Sequence, residues 1–185
     1  IPVLAALYLM VQGGTDVTID RYFLHPLIGN GLNQESLNGI LARDGDQLIE
    51  LAHPRNLFWP IVETLFDIRA DLPYAERCRQ LAEQGVALWD VLRTCTRSSS
   101  LDSDILEASI VPQDFEGFLR AHPRIGVIFF NGAKAESVWR RHVGPTLPAD
   151  LAAIPTSRLP STSPANASIP YPVKLRQWRA VTTPL

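Results

Sequence analysis

The chain has 185 residues, 46% of them hydrophobic and 19% charged, the profile of an ordinary soluble globular protein with room for one domain and a sizeable core. A net charge of −2 leaves no overall basicity, so any contact with nucleic acid must rest on a local basic patch. The two cysteines, Cys78 and Cys95, lack CxxC or His-rich spacing and supply too few ligands for a structural metal or iron–sulfur cluster. They read as buried free thiols in a reducing cytoplasm, and no metal or cofactor is expected.

In chain order, the apolar run Ile1 to Val11 is too short to span a bilayer and reads as a buried strand or helix. The chain starts at Ile1 rather than Met, so further residues are expected ahead of it. Gly13-Gly14-Thr15-Asp16 marks a turn, and Tyr22 to Ile28 a short strand. It leads into the Gly/Asn-rich loop Gly29-Asn30-Gly31-Leu32-Asn33-Gln34-Glu35-Ser36. Leu37 to Leu51 has apolar residues at helix-like intervals, interrupted by Asp44-Gly45-Asp46. Helices are predicted over Asn56 to Phe66 and over Tyr74 to Gln84, the second ended by Gly85. Val86 to Leu92 reads as a buried strand, Gln113 to Ala121 as a helix, Ile125 to Phe130 as a strand and Ala133 to His142 as a helix. Gly144 to Pro172 is too Pro-rich and polar to be strand or helix throughout, and Val173 to Ala180 closes the chain as a helix. This alternation predicts a three-layer α/β/α sandwich with a central, largely parallel sheet, residues 1–185 forming a single domain.

Several residues offer polar chemistry. Asn131 follows an apolar strand and precedes Gly132 and a helix; its carboxamide sets a donor beside an acceptor, or else simply caps the helix. Asn56 follows His53-Pro54 and either acts in chemistry or caps its own helix. Phe58 and Trp59 are core residues by helical spacing. Ser161-Thr162-Ser163-Pro164-Ala165-Asn166 is rich in small hydroxyls, with Arg158 before it and Lys174, Arg176 and Arg179 after it as local positive charge.

Four segments carry a resemblance when taken together: His53-Pro54-Arg55-Asn56-Leu57-Phe58-Trp59-Pro60, Val86-Ala87-Leu88-Trp89-Asp90-Val91, Ile128-Phe129-Phe130-Asn131-Gly132, and Leu159-Pro160-Ser161-Thr162-Ser163-Pro164-Ala165-Asn166. In order and spacing they resemble the uracil-DNA glycosylase superfamily, nearest the branch of the hypoxanthine-DNA and mismatch-specific uracil-DNA glycosylases. Ser100-Leu101-Asp102-Ser103 also resembles a family segment, with no role attached. The resemblance implies a monofunctional glycosylase that flips a deaminated base, uracil first, out of DNA and hydrolyses its glycosidic bond. Asn131 then recognises the base, Asn56 and His53 line the pocket with Asn56 orienting the attacking water, and the Ser/Pro loop with Arg158 and Lys174 grips the flanking phosphates. The family's stacking aromatic falls at Leu51, so Leu51 packs on the base or Tyr22, Phe23 or Phe58 supplies the ring. The first motif departs from the family pattern: Gly29 remains, but Pro-Gly is absent, leaving Asn30, Asn33, Gln34 and Glu35 as catalytic candidates.

No lysine stands in a nucleophile position, so no Schiff-base strand cutting is expected. The implied partner is DNA containing uracil or another deaminated base. The protein is expected to be a cytoplasmic monomer, nucleoid-associated in a prokaryote, with no membrane contact. Alternatives are a hypoxanthine-DNA glycosylase, a hydrolase of free nucleosides or nucleotides, and an inactive lesion-binding protein on the same scaffold.

Overall fold

Apolar residues Val3–Leu7 form strand β1, one of the two inner strands of a four-stranded parallel sheet. The computed structural model describes residues 3–7, 17–18, 55–89, 91–96 and 105–182. β1 pairs on one side with β3 (Val86–Trp89) and on the other with β6 (Ile125–Asn131), which in turn pairs with β7 (Thr156–Leu159). From β1 the chain goes on to β3 at one edge, and from β6 to β7 at the other. The middle of the sheet is therefore a switch point, the place where open α/β sheets bind ligands, at the carboxyl ends of the strands. β2 (Val17–Thr18), β4 (Leu92–Cys95) and β5 (Val111–Pro112) form a second, antiparallel sheet.

Side chains alternate across the parallel sheet and feed two cores. Val86, Leu88, Val127 and Phe129 meet helices α1 (Phe58–Phe66), α2 (Tyr74–Glu83) and α6 (Tyr171–Trp178) on one face. Ala87, Ile128 and Phe130 meet α3 (Phe115–Ala121) and α4 (Ala133–Val138) on the other. Cys78 and Cys95 are buried in opposite cores. Between Ile125 and Val127 the register slips by one residue, leaving Gly126 as a bulge. This is the predicted three-layer α/β/α sandwich. None of the helices among the described residues is long and apolar enough to cross a membrane.

Several element boundaries differ from those predicted. α1 starts at Phe58 rather than Asn56, because the Asn56 side chain takes the Phe58 amide (2.9 Å) and so competes with the backbone. The strand predicted over Val86 to Leu92 is two strands in different sheets, β3 ending at Trp89 and β4 starting at Leu92. The helix predicted over Ala133 to His142 turns α-helical only to Val138, then widens into a π-helical turn, Trp139–Val143. That turn buries Trp139 against Phe115 and Phe130, with ring centroids 4.8 and 5.6 Å away. The Pro-rich stretch contains a short helix, α5 (Ala149–Ala152), and the edge strand β7. The closing helix begins at Tyr171, two residues early, with Pro172 accommodated in its first turn.

Candidate functional site

At the carboxyl edge of the parallel sheet, β6 ends in Asn131 and β7 in Leu159, side by side. Gly132 turns the chain into α4 with φ of 99°, and its amide donates to the Leu159 carbonyl (3.0 Å). A Cβ at position 132 would stand 2.8 Å from Ser161 Cβ, so the missing side chain is what lets the following loop close over the strand end.

Thr162 is the hub of this edge. It is fully buried, and its amide donates to Asn131 Oδ1 (2.9 Å) while its hydroxyl oxygen accepts from Asn131 Nδ2 (2.9 Å). Its carbonyl accepts from the Leu57 amide (3.0 Å). Three segments distant in sequence are thus tied at one residue: the turn into α1, the end of β6 and the Ser/Pro loop. Asn131 and Asn56 are both buried beside it. A carboxamide has two N–H donors and two lone-pair sites on its oxygen, so the Asn131 bonds to Thr162 use half its capacity.

The loop beyond β7 is a chain of small turns. Ser161 Oγ accepts from the Ser163 amide (3.2 Å), Ser163 Oγ from the Ala165 amide (3.2 Å), and the Asn166 amide donates to the Ser163 carbonyl (3.0 Å). Asn166 Nδ2 donates back to the Ser161 carbonyl (3.1 Å). Underneath lies α6. Lys174 Nζ donates to the carbonyls of Ser161 (2.7 Å) and Asn166 (2.8 Å), and Trp178 Nε1 donates to that of Pro160 (3.0 Å). Burial pushes the Lys174 ammonium below the ordinary lysine pKa.

Asn131, Asn56, Thr162 and Ser161 are therefore brought together, and Ser163, Pro164 and Asn166 complete a half-buried loop around them. Three expectations are corrected. Lys174, at 1% exposure, bonds to the loop's own carbonyls and cannot reach a phosphate from outside. Thr162 holds the loop from within rather than contacting DNA. Phe58 is a core residue at 1% exposure, its ring edge-on to Trp59 and Trp178, and so is not the ring against the base. Arg158 is exposed and pairs with Glu136 at 3.0 Å. His53, Leu51, Gly29, Asn30, Asn33, Gln34, Glu35, Tyr22 and Phe23 lie outside the described residues, as does Ser100-Leu101-Asp102-Ser103. Sequence reasoning missed the roles of Thr162 and Lys174. For Lys174 a signal existed, because it lies four residues before Trp178 on the apolar stripe of its helix. For Thr162, between two serines, there was none.

Away from this edge, Glu107 is met by Arg141 (2.8 Å), the His142 ring (3.0 Å) and Lys134 (3.8 Å). The hydrogen bond from His142 and then that from Arg141 pull its carboxyl down to about 2. Among the described residues no group of three His, Cys, Asp or Glu side chains is placed to hold a metal.

No family model matches the chain. Over 84 residues it is 33% identical to a hypoxanthine DNA glycosylase of Methanosarcina acetivorans, a match covering 45% of this chain and 52% of that protein. The chain thus spans about half the length of this curated relative. It also shares its fold with the solution NMR structure of a protein from the same organism put forward as a uracil DNA glycosylase. That superposition has a TM-score of 0.57 at 24% identity and covers 98% of this chain and 91% of the other.

Proposed function

We propose, from the chain's likeness in sequence and in fold to the uracil-DNA glycosylase superfamily, that it is a DNA glycosylase that flips a deaminated base out of DNA and hydrolyses its N-glycosidic bond, leaving an abasic site. The observation that carries the reading is the meeting at Thr162 of three of the four segments that bear the resemblance, at the edge of the sheet where α/β proteins bind ligands. Excision needs little covalent machinery: the base must be held out of the stack, its developing charge stabilised and a water aimed at the sugar.

Asn131 reads the base with the N–H and lone pair that Thr162 leaves over, matching a carbonyl next to an N–H on the substrate. Asn56 is assigned to the attacking water, with His53 beside it in sequence. Ser161, Ser163, Pro164 and Asn166 meet the phosphate backbone, and Arg158 adds charge at the rim. Single-step chemistry without strand cutting agrees with the environment of the chain's two lysines: Lys174 is bound to two carbonyls, and Lys134 leans toward Glu107. We take uracil as the leading substrate, and the protein as a monomer acting in the cytoplasm. Hypoxanthine is the second reading, favoured by the function named for the curated relative.

The test is incubation with end-labelled oligonucleotides carrying one uracil or one hypoxanthine, single- and double-stranded, followed by alkali. Cleavage at the uracil is the expected outcome, and cleavage at hypoxanthine alone selects the second reading. Retained binding to the lesion without cleavage overturns the enzymatic reading and leaves an inactive lesion-binding scaffold.

A further inference from the structure

Lys174 is an unusual buried cation. Among the described residues no carboxylate lies within ion-pair distance of it, and its two recorded partners are the carbonyls of Ser161 and Asn166. These carbonyls belong to the first and last residues of the Ser161–Asn166 loop. One ammonium therefore closes the loop like a drawstring. Burying a charge on neutral partners is costly, and such a group persists where its bonds hold a shape. The same helix face fixes the loop's neighbours: Trp178 holds the Pro160 carbonyl, and the Tyr171 hydroxyl donates to the Pro60 carbonyl (3.2 Å) in α1. With these carbonyls drawn inward, the loop's partly exposed outer face, with Ser163 and Pro164 on it, is left for a ligand.

We propose that Lys174 is a positioning residue: from behind the Ser161–Asn166 loop it holds that loop in its DNA-binding shape before DNA arrives, without touching a phosphate itself. This rests on the DNA-glycosylase reading above. A preformed loop has less ordering to lose on binding, so the gain is in affinity rather than in the rate of bond cleavage.

The variants are Lys174→Met, which keeps the aliphatic stem, and Lys174→Gln, which keeps N–H donors without the charge. In the DNA-free full chain, hydrogen exchange at the Ser163, Ala165 and Asn166 amides is expected to quicken about tenfold or more in K174M, with β6 unchanged, and by less in K174Q. With duplex carrying one uracil, K174M should raise the half-saturating protein concentration about tenfold and leave the single-turnover rate at saturation within about threefold. Salt dependence separates positioning from direct contact. A residue neutralising a phosphate loses roughly 0.9 from the slope of log K against log salt when removed, whereas K174M should leave that slope unchanged.

Unchanged loop exchange in both variants, or a slope reduced by about one in K174M, overturns the proposal. K174Q carries the test if K174M does not fold. Wild-type protein that neither binds nor cleaves either lesion sinks the glycosylase reading instead, and loop exchange alone then decides whether Lys174 holds the loop.

Discussion

In the proposed function Asn131 serves two partners, Thr162 and the base, and one substitution separates them. Aspartate at 131 can still accept from the Thr162 amide and from a reoriented Thr162 hydroxyl, so the clamp survives while the N–H donors vanish. N131D should therefore melt close to wild type yet lose base selection, measured as abasic-site yield on uracil against undamaged DNA. N131A removes the clamp as well and leaves the buried Thr162 amide without its acceptor. That should cost about 2–3 kcal/mol, read by urea melts. If N131D excises uracil like wild type, base reading lies elsewhere. Next along the chain, Ala at Gly132 meets both a positive φ and Ser161 at 2.8 Å. G132A should lose roughly 1–3 kcal/mol and bind DNA less tightly, because the loop must retreat. At this scale sequence was a partial guide. The side chains able to make polar contacts were identifiable by type, but whether a given Ser, Thr or Lys faces water or its own backbone is settled by turn geometry, which spacing does not encode.

Helices were the most legible elements, because their signals are local. Gly85, with φ of 81°, ends α2 as a C-terminal glycine should, and Asp114 caps α3 by accepting from the Gly117 amide (2.9 Å). β7 was not legible: Thr156, Ser157 and Arg158 are exposed and only Leu159 is buried, so the edge strand has no apolar alternation to read. The π-helical turn at Trp139–Val143, which buries Trp139 and Val143, was equally hidden. α1 contains a correctable defect. It ends at Asp67 in the left-handed region, with φ of 56° and its amide on the Glu63 carbonyl (3.0 Å). D67G should relieve that conformation and raise stability by a few tenths to about 1 kcal/mol, visible as a higher melting temperature. A lower melting temperature would mean that the Asp67 side chain contributes more than its backbone costs.

Across the whole molecule, the order of strands and helices was enough to predict two cores on either side of a parallel sheet, since the buried strands send side chains to both faces and helices cover each. The second sheet was not foreseen, because two of its three strands are two residues long. Stability against acid depends in part on Glu107. Its folded carboxyl sits at about 2 against an ordinary 4.5, so its contribution is complete above 4.5 and disappears as pH falls toward 2. With 44% of its side chain exposed, the contribution is small and sensitive to salt. Wild type should lose its advantage over E107Q between those two values, as followed by urea melts across the range; a constant difference would refute the linkage. The knot at Thr162 has a consequence in time. A chain made from its N-terminus presents the turn into α1 and the end of β6 well before residue 162 exists, and α6, which backs the loop, comes later still. Until those later segments leave the ribosome the two earlier ones have nothing to close on. The nascent protein can begin its sheet early, yet its candidate site is assembled only once α6 has been made.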